Sequence, residues 1–382
     1  MESVLWLIAA LLAAQWLFVL WNLSQLPRMA AQAGRLGATL SVLIPARNEE
    51  GNIADCLHAA IAAAGDHEVE IIVLDDGSVD RTAELVQEAA ASDARVRYAV
   101  GSALPPGWTG KCFACHQLAK EANGEWLLFL DADARLSPGA IEAAMAAAVR
   151  QGRGLVTGFP FQSTGSWLER LVVPMMVFTV ACHLPVRLVR ASRDARFIAA
   201  HGAFLLAHRD SYAVAGGHEA VRGHLVDDMA LAKAMKQAGE PVMLADVREY
   251  VSMRMYTKAK EVWSGYKKNI YEGLGRNAYL LLAVVLLYAA LYLVPPLALL
   301  VQLAAEAFGA SSADAHGRLF AALAGWLLGL GIKLTIDSRS GQPIWLALLL
   351  PLSIGVVCTL ALSSWRGSGK ADGYEWKGRS YS

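Results

Sequence analysis

At 382 residues the chain is long enough for two or three domains. Hydrophobic residues make up 55% of it and charged residues only 18%, which is too apolar for an ordinary soluble protein. The formal net charge of zero argues against nucleic acid as a partner, since phosphate binding needs a cationic excess. The five cysteines, at 56, 112, 115, 182 and 358, form no disulfide framework and suggest a reducing compartment.

Residues 4–22 (VLWLIAALLAAQWLFVLWN) carry no charge and are long enough to span a bilayer. Only Glu2 precedes them, with no basic segment, so residues 1–24 read as a transmembrane anchor rather than a signal peptide. A largely soluble domain follows over 25–277. Leu40–Ile44 is a continuous apolar run ending at Pro45 and suits a buried strand. Ile53–Ala64 reads as a helix, and Val69–Leu74 as a strand that ends at Asp75-Asp76-Gly77-Ser78. Asp80 is placed to cap a helix over Arg81–Ala91. A strand over Val96–Val100 and a helix over Gly110–Ala122 come next. Trp126–Leu130 is a further strand, ending at Asp131-Ala132-Asp133, and Ser137-Pro138 opens the next helix.

Two later stretches read as helices near a membrane interface. Trp167–Val189 is apolar, interrupted by Pro174 and Pro185, and an ordinary core helix fits it equally well. Residues 259–274 mix Trp, Tyr and Lys in the manner of an interfacial helix. Residues 278–305, 319–336 and 343–363 are further apolar runs, so 278–365 is a C-terminal transmembrane region, and 366–382 is a basic tail. Arg28 and Arg35 favour a cytoplasmic domain, and Arg366, Lys370, Lys377 and Arg379 favour a cytoplasmic tail. Three simple spans after the domain would put the tail on the opposite side. Either one run does not cross or the tail breaks the rule. The Pro295-Pro296 pair marks the first of these runs as the candidate for a broken or re-entrant helix.

Strands alternating with helices imply an α/β sheet, whose ligands sit beyond the carboxyl ends of the strands. Three of the four strands end in polar clusters there: Arg47-Asn48-Glu49, Asp75-Asp76, and Asp131 with Asp133. No G-x-G-x-x-G follows a strand and no P-loop is present. Two carboxylates at a strand end suit Mg²⁺ or Mn²⁺ completed by a diphosphate. Capping of the following turn is the plainer role for such an Asp pair.

The series Val42–Glu49, Val73–Asp80 and Leu128–Asp133 resembles a family 2 glycosyltransferase with the GT-A fold, a nucleotide-diphospho-sugar transferase domain with a mixed sheet. His201–Tyr212 and Val214–His218 resemble that family's acceptor-side strand and helix, and Val226–Ala232 its acidic base motif. Met253–Tyr256, Trp376–Arg379 and the apolar runs look most like bacterial enzymes that glycosylate carotenoid or hopanoid-type lipids.

The resemblance implies that Pro45, Arg47 and Glu49 lie in the nucleotide-binding first loop. It implies that Asp76 or Asp75 holds the uracil ring, that Asp131 lies near the ribose and diphosphate, and that Asp133 ligates the metal with Asp131. Asp228 becomes the catalytic base with Asp227 beside it, and His201, Gly202 and His218 lie on the acceptor side. Arg254 and Lys268 are candidates for the donor diphosphate. Where many membrane members carry Q/R-x-x-R-W, this chain has Trp263–Tyr271, which weighs against a polymer-making enzyme. The implied reaction is inverting transfer from a nucleotide-sugar to a lipid acceptor at the bacterial cytoplasmic membrane. The alternatives are a sugar or lipid-phosphate nucleotidyltransferase, or a polyprenyl-phosphate glycosyltransferase on the same scaffold.

Cys112-Phe-Ala-Cys115-His116 matches the spacing of a c-type haem attachment. The stretch around it also resembles the Gly-Lys loop of membrane glycosyltransferases, which makes Lys111, at a helix N-terminus, a candidate for the donor diphosphate. On that reading the apolar face toward the sheet is Phe113, Ala114, Leu118 and Ala119, and the cysteines are incidental.

Overall fold

The computed structural model describes residues 1–31, 36–309 and 315–367, with the backbone of 374–376 and 379–381. The chain divides into two compact units. One is built from Leu26–Ser163, Pro185–Met255 and Ala371–Ser382. The other is built from Met1–Gln25, Thr164–Leu184 and Tyr256–Lys370.

Between Leu26 and Met255 the first unit's described strands are β1 (Leu40–Ala46), β2 (Val69–Asp75), β3 (Val96–Val100), β4 (Trp126–Phe129), β5 (Ala134–Leu136), β6 (Leu155–Thr157), β7 (Phe161–Gln162), β8 (Leu205–His208), β9 (Val242–Leu244) and β10 (Val251–Met253), and a separate antiparallel pair follows at Tyr374–Trp376 and Arg379–Tyr381. Seven of them form one sheet in the order β3-β2-β1-β4-β8-β6-β9. β1 pairs in parallel with both β2 and β4, so all three end on one edge. β8 runs antiparallel between β4 and β6, which makes the sheet mixed, as expected of the implied fold. β1 and β2 are apolar along their length because helices such as Ile53–Ala64 cover the sheet and share its core. Gly124 is required where it packs on β1, since a Cβ there would lie 2.5 Å from the Ser41 nitrogen.

Differences from the sequence expectation are local. β5, β7 and β10 make a second, three-stranded sheet of strands too short to show a period of two. β5 intervenes before the helix expected at Ser137-Pro138, which starts at Ala140, after Gly139 with φ 80°. The helix expected from Arg81 runs Thr82–Ser92, so Arg81 and not Asp80 holds the cap position; Asp80 sits one residue earlier and accepts the Thr82 N–H at 3.0 Å.

The second unit carries four helices long and apolar enough to cross a membrane: Glu2–Ser24, Ala278–Ala307, Ala315–Ser340 and Ile344–Gly367. The second is broken at Leu293 into Ala278–Tyr292 and Val294–Ala307, where Pro295 and Pro296 withhold N–H donors. The last is a 3₁₀ segment, Ile344–Leu349, running into the helix Leu350–Gly367. Trp167–Val189 is broken at both prolines, and the helix Pro174–His183 packs Phe178 among Leu12, Tyr292 and Ile332.

Several polar groups inside this bundle are paired, while the Tyr266 hydroxyl is buried with no hydrogen-bond partner among the described residues. Trp16 Nε1 donates to Thr335 Oγ1 at 3.0 Å, and the Tyr292 hydroxyl donates to Gln15 Oε1 at 2.7 Å. Lys333 and Asp337, one turn apart and almost wholly buried, form an ion pair. The helix Ala259–Gly273 also belongs to this unit and packs on Leu350–Gly367, with the Tyr271 N–H donating to Ser364 Oγ at 3.1 Å. Among the basic residues that suggested orientation, Arg35, Lys370 and Lys377 lie outside the described residues, and Arg379 is described by its backbone alone.

Candidate active site

The shared edge of β1 and β2 is laced by hydrogen bonds between the two loops that follow. Asn48 adopts φ 50°, a left-handed conformation that asparagine tolerates. Its N–H donates to Ser78 Oγ at 2.9 Å, and its Oδ1 accepts the Val79 N–H at 2.9 Å. The Glu49 N–H donates to Thr82 Oγ1 at 2.8 Å, and the Glu49 carboxylate accepts from Asn52 Nδ2 at 3.0 Å. Arg47 donates to the carbonyls of Asp76 and Gly77. Asp75 is buried, and its Oδ1 accepts the Ser78 N–H at 2.9 Å. Pro45 lies within β1, opposite Leu74. The expected first-loop residues and the Asp75-Asp76 pair therefore share one wall of the sheet edge.

The second wall centres on Lys111. Thr109 caps the helix Gly110–Glu121, accepting the Cys112 N–H, which sets Lys111 in its first turn. Lys111 Nζ lies 2.7 Å from Asp131 Oδ1 and 3.8 Å from Asp227 Oδ2. Asp227 and Asp228 open the helix Asp227–Gln237. Asp228 accepts the Gly202 N–H at 2.9 Å and the Met229 N–H at 2.7 Å. Gly202 packs where these groups meet. A Cβ on it would lie 2.7 Å from Lys111 Nζ, 3.3 Å from Asp131 Oδ2 and 3.8 Å from Asp228 Oδ2. Residues far apart in sequence thus bring one cation among three acids.

This balance governs protonation. Burial lowers the Lys111 ammonium, but Asp131 and then Asp227 outweigh it and hold the group well above the usual lysine range. Burial, then the charge of Asp227, raises Asp228 to about 7, while Lys111 pulls in the opposite direction. Burial, then Asp131 and Glu49, raises Asp133 to about 7 as well. Asp133 thus sits in a surplus of negative charge that a cation would relieve. Its hard oxygen donors suit Mg²⁺ or Mn²⁺. No three or more His, Cys, Asp or Glu side chains among the described residues are arranged to hold a metal by themselves. With Asp131 engaged by Lys111, Asp133 is the freer of the pair for a metal.

His201 is buried behind the site, and its Nδ1 accepts the Ala203 N–H at 3.2 Å. Burial lowers it to about 4, so it is a neutral ring. His218 is buried too, with Nε2 4.0 Å from Asp227 Oδ2. Arg254 is exposed just after β10, and Lys268 lies in the helix Ala259–Gly273 of the other unit. Sequence reasoning missed Tyr212 as a partner of His218, because nothing in the spacing across Gly216-Gly217 announces their contact.

The cysteine pair is settled by burial. Cys112, Ala114, Cys115, Leu118 and Ala119 form the buried face of their helix. Phe113, expected on that face, is instead half-buried against Trp108, with ring centres 5.3 Å apart. The spacing explains the exchange, since 112, 115, 118 and 119 fall on one side of a helix. Burial pushes the Cys112 thiol up to about 12 and Cys115 well above its usual range, so both stay protonated and inert.

The chain thus gathers acids and a lysine at the carboxyl edge of a mixed sheet. Residues 41–211 match the family model described as glycosyl transferase family 2, and the chain carries a glycosyltransferase domain of that family. The 4,4'-diaponeurosporenoate glycosyltransferase of Staphylococcus haemolyticus (strain JCSC1435) is 30% identical over 243 residues. That match covers 63% of this chain and 63% of the relative, so the chain spans less than two thirds of that protein's length. The enzyme of the same name from Staphylococcus aureus (strain MRSA252) is 27% identical over 347 residues, covering 90% of this chain and 88% of that one. Among solved structures, a mannosyltransferase from Pyrobaculum calidifontis in complex with GDP-Man and Mn²⁺ is 15% identical. It covers 96% of this chain and 97% of its own, with a TM-score of 0.55, a likeness that establishes the GT-A fold alone.

Proposed function

We propose that this glycosyltransferase moves a sugar from a nucleotide-sugar, with UDP as the nucleotide, onto a lipid acceptor of the carotenoid or hopanoid kind, with inversion at the anomeric carbon. The observation that carries the reading is the cluster of Lys111, Asp131, Asp227 and Asp228 around Gly202. The carotenoid-directed names of the relatives supply the acceptor class. The enzyme works as a multi-pass protein of the bacterial cytoplasmic membrane, with residues 25–277 on the cytoplasmic side where nucleotide-sugars are available.

In this reading the loops after β1 and β2 bind the nucleotide through Arg47, Glu49, Asp75 and Asp76. Lys111 faces the diphosphate, opposing the charge that develops on it as it departs. Asp133, with Asp131, would hold a divalent metal, which when bound adds to that charge stabilisation. Asp228 is the base. Two backbone N–H groups fix its carboxylate, and a proton affinity near neutrality suits it to take the acceptor hydroxyl proton and release it again. Gly202 lets Lys111, Asp131 and Asp228 close around it, since a Cβ there would lie 2.7 Å from Lys111 Nζ.

The test is to incubate membranes containing the protein with a panel of radiolabelled sugar nucleotides and to extract the lipids. Label in a lipid fraction that is lost in Asp228→Asn is the expected result. Absence of label from every lipid fraction overturns the reading.

A further inference from the structure

We propose that Tyr212 and His218 are a positioning pair that holds Asp227, and through it the neighbouring base Asp228. The proposal rests on the reading of Asp228 as the base. The Tyr212 hydroxyl accepts the backbone N–H of His218 at 2.9 Å and lies 2.8 Å from His218 Nδ1. A hydroxyl has a single proton to give, and Nδ1 is the acceptor within its reach among the described residues, so the proton goes to Nδ1. Nδ1 is therefore the bare nitrogen and Nε2 carries the hydrogen.

Nε2 is buried, makes no hydrogen bond among the described residues, and lies 4.0 Å from Asp227 Oδ2. The same oxygen lies 3.8 Å from the Lys111 ammonium. Phe129 packs against the imidazole with ring centres 4.8 Å apart, which fixes the ring's direction. Gly217, at φ 55°, permits the contact, because a Cβ there would fall 2.4 Å from the Tyr212 ring. Burial lowers His218 to about 3, so it acts as a neutral N–H dipole and not as a second cation. Asp227 is thereby set between a fixed N–H and Lys111, and its position governs the field at Asp228.

The experiment compares His218→Leu, His218→Gln and Tyr212→Phe in the full-length protein with a transfer assay and melting curves. Misplacing a catalytic group by about 1 Å costs up to about 100-fold in activity, so a loss of about 10- to 100-fold is expected. His218→Leu and Tyr212→Phe should lose kcat in that range, with the donor KM within about twofold. His218→Gln, which keeps an N–H donor, should recover most of kcat. An unchanged kcat in His218→Leu overturns the proposal, as does an equal loss in the Leu and Gln variants with melting temperatures retained. Wild-type protein without transfer activity would instead sink the functional reading.

Independently, we infer that the last apolar segment, Ile344–Gly367, is a re-entrant arm that returns to the side it entered from. This inference rests on the second unit being membrane-embedded. Gly317 lies against Glu2 and Gly331 against Trp16, so the helices Glu2–Ser24 and Ala315–Ser340 run parallel. Gly325 meets Pro295 and Gly329 meets Tyr292, so Ala278–Ala307 runs antiparallel to them. The ends at Ser24, Ala278 and Ser340 therefore share one face.

Leu350 lies beside Gly329, eleven residues or about 16 Å below Ser340, which is half the thickness of a hydrocarbon core. From there Leu350–Gly367 packs back along Ala278–Tyr292 and reaches Ser364 beside Tyr271, which lies just before Ala278. The 3₁₀ entry is covered by protein on one side, at Gln342, Leu346 and Ala347, which suits a departure from the α-helix at membrane depth. This geometry returns Arg366 to the face that holds Ser24 and Ala278, which removes the conflict with the positive-inside rule.

Alkaline phosphatase fused at the C-terminus should be inactive, and fused after Gly309 it should be active. Activity at the C-terminus overturns the arm. Inactivity after Gly309 overturns the membrane reading itself.

Discussion

Replacing Lys111 with methionine removes the one ammonium that the site sets among its acids while keeping the bulk of the stem. Two consequences follow, with separate magnitudes. A charge-assisted contact to the donor diphosphate contributes about 1.5–3 kcal/mol, so kcat/KM for the donor should fall about 10- to 150-fold. The second effect is on Asp228. A Cβ at Gly202 would lie 2.7 Å from Lys111 Nζ and 3.8 Å from Asp228 Oδ2, so those two atoms are separated by no more than the sum of these distances. Across about 6.5 Å at an effective dielectric of ~20 the attraction is about 2.5 kcal/mol, just under two pH units before partial screening.

Lys111 favours the ionised carboxylate, so its loss raises Asp228 above about 7 and leaves less of the base ionised at neutral pH. The acid limb of the kcat–pH profile should therefore move to higher pH by about one to two units. The assay is transfer of radiolabelled sugar to lipid by purified protein between pH 5.5 and 9, with the donor varied at each pH. An acid limb that stays in place or moves down, together with an unchanged donor KM, refutes the reasoning.

Three further outcomes are expected. Asp228→Asn should bind the donor and lose transfer. Because the folded chain resists ionising this acid until about pH 7 while the unfolded chain ionises near 4, wild-type stability falls across that window as pH rises. The Asn variant should therefore melt higher than wild type above pH 7 and lose that advantage as the pH falls toward 4. Gly202→Ala should displace Lys111 and lower kcat/KM about 10- to 100-fold without unfolding the protein, and an unchanged kcat/KM would contradict the crowding described. Asp133→Ala should abolish the dependence of transfer on added Mg²⁺ or Mn²⁺ along with activity. Full metal-dependent activity in that variant would remove Asp133 from the metal site.

The sequence exposes the site to the extent that chemistry sits at strand ends. Arg47, Asp76, Asp131 and Asp133 each follow an apolar run, and the parallel pairing of β1 with β2 and β4 brings those ends together. Lys111 is legible as a helix-start residue, but its partners are not, since Asp131 and Asp227 reach it only through the packing of separate elements. The exposed Arg254 and the assignment of Lys268 to the second unit follow from how the chain divides, which composition does not encode. β8 falls within His201–Tyr212, where the resemblance implied a strand, but an apolar run carries no sign of its direction. Only its pairing with β4 and β6 makes the sheet mixed.

The buried pair Lys333–Asp337 bears on how the protein is made. A lone lysine or aspartate deep in a span costs about 2.5–3.5 kcal/mol at insertion, while the two on adjacent turns of one helix can enter as a neutral unit before any other helix has arrived. Biogenesis of Ala315–Ser340 then depends on the pair being intact and not on either charge alone. Lys333→Ala or Asp337→Ala should deplete the protein from membranes, whereas the double substitution should restore its yield. Equal yields from all three variants would show that insertion is indifferent to the pair.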